Sequence, residues 1–186
     1  MRSGIIICGG NGSGKSTLGK ELSKSLNYKF MDVEDYYFPK NDIDYKYDYS
    51  LSKNEVVELL LKDMKQNEKF VMAAVIGNYG NKVISHYTFA VIIDVPEKIR
   101  LERVKKRSFE KFGDRILQGG DLYEKENQFF DMVASKSNGF VETWVNTLNC
   151  PVIRIDGTKP ISYNVKLIIR ELSNKQIKTC RNKRRT

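Results

Sequence analysis

Residues 9–17 read Gly9-Gly10-Asn11-Gly12-Ser13-Gly14-Lys15-Ser16-Thr17, and this stretch decides the fold. It fits the spacing G-x-x-x-x-G-K-[ST]. An apolar run from Gly4 to Cys8 precedes it and reads as a buried strand. After it, Leu18, Leu22 and Leu26 recur at i, i+4 and i+8, the period of a helix from Ser16 to Leu26. Between a strand and a helix, glycines let successive backbone N–H groups turn inward as an anion nest. The nest lies at the positive end of the helix.

Each residue then has a chemical part. Gly9 to Gly14 wrap phosphate oxygens with backbone donors, and Lys15 places a point charge on the outer phosphates. Ser16 offers its hydroxyl to Mg²⁺, and Thr17 completes the ATP-binding stretch. The stretch is a P-loop, and it implies a nucleoside triphosphate with Mg²⁺ as the bound species.

Outward from the loop, short apolar runs alternate with helix-period segments, the pattern of an α/β protein with a parallel sheet. Tyr28 to Met31 is a second strand. Ser52 followed by Glu55 forms a capping box for a helix to about Gln66, with Val56, Leu59, Leu60 and Met64 on its apolar face. Phe70 to Ile76 is a third strand, closed by the turn Gly77-Asn78-Tyr79-Gly80, and Phe89 to Val95 is a fourth. Pro96 suits the first turn of a helix that carries Ile99, Leu101 and Val104 to about Phe112. Gly113 to Gly120 breaks the pattern, and Asp121 with Glu124 is expected to cap a further helix. Pro151 to Ile155 is a fifth strand, and Val165, Ile168, Ile169 and Leu172 mark a last helix. Phe129, Phe130, Phe140 and Trp144 are expected in the core.

The totals agree with one domain. A chain of 186 residues with 40% hydrophobic residues buries a core without disulfide or metal staples. No apolar run approaches the roughly 20 residues of a membrane span. Cys8, Cys150 and Cys180 lie far apart, which excludes a CxxC zinc site and points to a cytoplasmic location. His86 is the single histidine, so chemistry that needs several histidines is excluded. The net charge of +9 is concentrated at residues 175–186, whose six basic residues face no acid. Such a tail suits anionic surfaces. Nothing in the chain resembles a nucleic-acid recognition module.

The passage from Asp32 to Tyr49, DVEDYYFPKNDIDYKYDY, carries six carboxylates, two lysines and five of the ten tyrosines. It follows the second strand directly. Arginine is absent from residues 31–82, where Lys40, Lys46 and Lys82 are available instead. Bidentate anion capture is the task at which arginine outperforms lysine. An acidic, tyrosine-rich wall without arginine suits sugar hydroxyls, rings or amines rather than a second phosphate.

The order of these features over the whole chain resembles the small P-loop kinases typified by shikimate, gluconate and adenylate kinases. That resemblance implies a three-layer α/β fold with a five-stranded parallel sheet, order 2-3-1-4-5, flanked by helices and carrying a lid. A single kinase domain would span residues 1–174. Its acceptor region would lie at about 32–66 and its lid at about 108–121, with 175–186 as a basic tail.

The resemblance also assigns residues. Asp32 and Glu34, in FMDVED, sit where shikimate kinases carry Asp-x-Asp. It implies Asp32 near Mg²⁺ and the acceptor hydroxyl, and Glu34 on the acceptor. Asp35-Tyr36-Tyr37 resembles a motif of uridine-kinase-like enzymes whose Asp is the base, so Asp32 and Asp35 compete for that part, with Asp32 preferred. Gly77 and Tyr79 lie where shikimate kinases have a glycine run beneath the substrate. In IIDVPEKIRLERVKKR, Arg107 would flank the adenine, with Arg103 the second candidate. In KFGDRILQGGD, Arg115 would swing onto the transferring phosphoryl group, and Gly157, in DGTKP, would meet the adenine edge. Asp94 ends an apolar strand, but the strand beside the P-loop strand in these kinases is the third.

The expected activity is therefore transfer of the γ-phosphoryl of ATP–Mg²⁺ to a hydroxyl of a sugar, nucleoside or amino-sugar, by a monomer or homodimer. The alternatives are a nucleoside or nucleoside-monophosphate kinase, and a P-loop ATPase or switch whose basic tail binds nucleic acid.

Overall fold

The computed structural model describes residues 3–39, 45–137 and 139–183, with side chains to residue 174. The elements run β1 (Ser3–Cys8), α1 (Lys15–Leu26), β2 (Lys29–Asp32), α2 (Val33–Tyr37), α3 (Lys53–Gln66), β3 (Lys69–Ala74) and α4 (Asn81–Ile84). They continue with β4 (Tyr87–Asp94), α5 (Glu97–Phe112), α6 (Tyr123–Ser135), α7 (Gly139–Val145), β5 (Val152–Asp156) and α8 (Ile161–Lys183). All strand pairs are parallel and the order is β2-β3-β1-β4-β5. The fold is the three-layer P-loop architecture that the sequence predicts.

The period-two alternation of a strand divides β1 between two cores. Ile5 and Ile7 face Leu18 and Leu22 of α1 and Val165, Ile168 and Leu172 of α8. Ile6 and Cys8 face the opposite layer, where Val56, Leu60 and Met64 of α3 meet Val141, Trp144 and Val145 of α7. Both faces of the sheet are covered, as a parallel sheet requires. A third cluster, built on Tyr45, Val104, Ile116, Leu122, Phe130 and Val133, packs the region after β2 against α5 and α6.

The capping box forms as expected: Glu55 N donates to Ser52 Oγ at 3.4 Å, and Ser52 N donates to Glu55 Oε2 at 2.8 Å. Three expectations need correction. Asp121 does not cap α6, whose N-cap is Leu122, because its carboxylate is taken by Arg115. Phe140 is not core; it stays 53% exposed at the mouth of a cleft, while Trp144 one turn later is buried. The acidic passage is not one continuous wall. Asp32 caps a short helix, α2, by accepting from Glu34 N at 3.2 Å, and a 3₁₀ turn, Lys46–Asp48, follows further on. Lys40 and residues 41–44 lie outside the described residues.

Candidate active site

Gly14 caps α1 with a left-handed φ of 92°, which opens the helix N-terminus toward the loop before it. The loop is held from below by Arg100 of α5, which is only 1% exposed. Its Nη1 donates to the Asn11 carbonyl at 3.3 Å and its Nη2 to the Lys136 carbonyl at 3.2 Å. A side chain at Gly10 would meet the Arg100 guanidinium, so a glycine there lets the arginine buttress the loop. Motif reading missed Arg100, since its partners are backbone carbonyls that carry no signature.

Lys15 Nζ donates to the Gly10 carbonyl at 3.1 Å, folding over the loop as it would over phosphates. Desolvation pulls its pKa down to about 8, against the opposing pull of Asp32. Cys8 lies just behind, and burial pushes its thiol up to about 12, so it is a packed neutral group rather than a nucleophile.

A cleft of about 550 Å³ opens above the loop. Asn11, Gly12, Gly14, Lys15, Ser16 and Thr17 form its floor. Asp32 and Glu34 project from the end of β2 and the start of α2, and Tyr37 and Tyr79 also line the cleft. Arg103 and Arg107 reach in from α5. Parallel strands deliver these groups to one edge, since the loops at their carboxyl ends converge there. Gly9, Gly10 and Ser13 complete the loop beneath this floor; Ser13 is buried.

Asp32 and Asp35, the two competing carboxylates, part company here. Asp32 lines the cleft beside Lys15, whereas Asp35 turns outward to an ion pair with Lys46 at 3.3 Å. Glu34 accepts from Tyr47 Oη at 2.9 Å, which fixes the carboxylate toward the cleft. Burial and the Glu34 charge together raise the Tyr47 pKa, so this phenol stays a donor. Tyr36 points the other way, donating to Asp63 of α3.

Gly77 does not line the cleft. A Cβ there would strike Trp144 and Tyr87, and Tyr87 Oη donates to its carbonyl at 3.1 Å, so packing accounts for the glycine. Gly157 is crowded by Ile93 and Val95, and its carbonyl accepts from Arg103 at 3.2 and 3.3 Å. Arg103, rather than Arg107, therefore stands beside the DGTKP loop. Arg107 instead faces Lys15 and Tyr47, whose pKa values its charge lowers. It also faces Glu34, since both line the same two cavities. The region of residues 31–82, arginine-free in the linear sequence, thus shares its cavities with an arginine in space. Arg115 is not brought into the cleft: its Nε and Nη2 donate to the two Asp121 oxygens at 3.0 and 2.6 Å. Asp94 lies at the end of β4, which flanks β1 on the side away from β3, and it is not among the cleft-lining residues.

Among the described residues no group of three or more His, Cys, Asp or Glu could cage a metal. A nucleotide-borne Mg²⁺ needs no such cage, because it keeps waters and phosphate oxygens and takes one or two protein oxygens. Ser16 and Asp32 bring one hydroxyl and one carboxylate to the same cleft, which fits that demand.

Comparison with known proteins agrees with this geometry. A family model described as an AAA domain matches residues 5–127. The chain is 31% identical over 185 residues to the uncharacterized protein YqaC of Bacillus subtilis (strain 168), covering 94% of this chain and 99% of that protein. It is 32% identical over 76 residues to a probable gluconokinase of Mus musculus, 37% of this chain and 41% of that protein. Among solved structures, a shikimate kinase from Bacteroides thetaiotaomicron superposes with a TM-score of 0.59 at 15% identity, over 93% of this chain and 99% of that one.

Proposed function

The chain belongs to the AAA-domain family, and we propose that it is a small P-loop kinase that moves the γ-phosphoryl of ATP to a hydroxyl of a small neutral or cationic metabolite. One observation carries the reading: Lys15, the Asp32–Glu34 pair and Arg107, contributed by three separate parts of the chain, converge in one cleft over the phosphate loop. A switch needs the loop, but it has no need of a carboxylate pair facing it.

The loop's backbone N–H groups and Lys15 hold the phosphates, and Arg103 with the Gly157 loop borders the adenine. Ser16 and Asp32 would hold Mg²⁺, which would supply positive charge against that of the nucleotide's phosphates. Asp32 orients the acceptor hydroxyl and accepts its proton, and Glu34, fixed by Tyr47, takes a second acceptor hydrogen bond. Charge spreads over the transferred group in the transition state, and Lys15 and Arg107 stand where they neutralise it. Arg115 joins them once it leaves Asp121 and its loop closes over the site, which also excludes water.

The test is ADP release against a panel of sugars, nucleosides and amino-sugars. Asp32→Asn is expected to lower turnover by about 10²–10⁴-fold, the range of general-base contributions, while nucleotide affinity measured without Mg²⁺ stays intact. A panel in which no compound raises ADP release above the water background would defeat the reading.

A further inference from the structure

Beside the cleft lies a second cavity of about 340 Å³, which shares Asn11, Glu34, Phe38 and Arg107 with it. Its remaining walls are Tyr45, Tyr47, Phe129 and Met132. Phe38 and Tyr47 meet edge to face at 5.0 Å, and Tyr45 meets Tyr47 at 5.4 Å and 70°. The volume lies near the lower end of the roughly 300–1,000 Å³ typical of ligand cavities, room for one small ring system. Because it opens beside Glu34 and the loop residue Asn11, an acceptor whose hydroxyl sits at Asp32 extends into it.

The chemistry of the walls discriminates among occupants. The two phenols are already engaged, Tyr45 Oη donating to Glu126 Oε1 at 2.6 Å and Tyr47 Oη to Glu34 Oε1 at 2.9 Å. They present carbon faces rather than hydroxyls. A sugar carries a hydroxyl on nearly every carbon and would leave several unpaired against these rings, each a desolvation cost.

A cation fares no better. Lys125 Nζ already stands 5.1 Å from the Tyr45 ring centroid and Lys111 Nζ 4.9 Å from that of Tyr47, and Arg107 forms part of the wall. The ring quadrupoles that would attract an amine are occupied, and like charge repels it. A flat, neutral heterocycle satisfies the box by stacking and meets Met132 as a polarizable neighbour. The few polar groups, Asn11, Glu34 and Arg107, lie at the cleft end, where a sugar ring joined to that heterocycle would present its hydroxyls.

Resting on the kinase reading above, we infer that the acceptor is a nucleoside, with its base stacked in the aromatic cavity and its sugar hydroxyl at Asp32. Two measurements test this: binding to the full chain in the presence of a non-hydrolysable ATP analogue, and ADP release with ATP. Each is run on nucleosides, neutral sugars, amino-sugars and nucleoside monophosphates. The best nucleoside is expected to exceed the best sugar and amino-sugar by at least about tenfold in kcat/KM. Met132→Trp, which fills the cavity, is expected to raise the nucleoside KM about tenfold or more, with analogue affinity changed less than about twofold. Phe129→Ala serves as a second variant, expected to raise the same KM, should the tryptophan variant fail to bind the analogue.

Turnover of a sugar or an amino-sugar, with nucleosides neither bound nor phosphorylated, overturns the inference and leaves the kinase reading standing, whereas turnover of a monophosphate alone overturns both the inference and the hydroxyl acceptor. Nucleosides that bind and lose affinity in both variants, with no acceptor phosphorylated, support the cavity and defeat the kinase reading. No binding and no turnover from any class overturns both. An unchanged nucleoside KM in the two variants overturns the placement of the base.

Discussion

At Gly12 two constraints coincide. Its φ of +79° is left-handed, and an added Cβ would stand 2.2 Å from the Arg100 backbone carbonyl oxygen, an atom that cannot rotate aside. The conformation alone costs a non-glycine residue about 1–3 kcal/mol. Gly12→Ala is therefore expected to displace the loop and weaken ATP-analogue binding by at least about tenfold, an effect of about 1.4 kcal/mol; titration calorimetry checks it. Arg107 and Arg115 form a contrast at the same scale. Arg107 already lines the cleft, while Arg115 must first break its pair with Asp121. If Arg107 acts mainly on the transition state, Arg107→Ala lowers kcat and kcat/KM together. Arg115→Ala is expected to cost less, because Arg115 is paired with Asp121 and does not line the cleft. A larger kcat loss for Arg115→Ala than for Arg107→Ala would reverse these parts.

Between elements, a latch joins the segment after α2 to α5 and α6. Tyr45 donates to Glu126 of α6, packs on Phe112 of α5 at 5.3 Å, and is covered by Lys125, which also pairs with Asp48 at 2.7 Å. Glu126 is 1% exposed and its Oε2 has no hydrogen-bond partner among the described residues. Removing the phenol leaves a buried carboxylate with no donor, a loss of about 1–3 kcal/mol or more. Tyr45→Phe should lower the melting temperature, and Tyr45→Phe combined with Glu126→Leu should recover part of it; differential scanning calorimetry reads both.

The latch also shows what the sequence left illegible. The phosphate loop, the capping box of α3 and Asp32 at the end of β2 are written within a few residues, so local rules find them. Arg107 beside Glu34, Tyr45 on Glu126 and Phe140 at the cleft mouth join residues about 70 to 125 positions apart. A periodicity records which face of α5 is apolar, but not which loop its polar face meets. Asp121 illustrates the reverse case: a sound local cap lost to a stronger partner, Arg115, six residues away.

For the molecule as a whole, strand order and helix direction separate the reaction cleft from the basic tail. The cleft lies at the carboxyl ends of the strands, and α8 begins there, just after Asp156 and Gly157. It returns along the sheet face, burying Val165, Ile168 and Leu172 against the core that holds Leu26 and Tyr28 at its far end. With 23 residues it is about 34 Å long at 1.5 Å per residue. The helix therefore ends far beyond the Debye length of about 8 Å at physiological salt from the cleft where it starts. Residues 175–186 hold six basic residues and no acid. Deleting those residues removes six of the nine net positive charges. The deletion is expected to leave kcat/KM within about twofold, because α8 runs away from the cleft beside which it begins. It should also abolish salt-dependent retention on a polyanion matrix. A tenfold fall in kcat/KM at physiological salt would instead mean that the tail reaches the cleft and belongs to the catalytic unit.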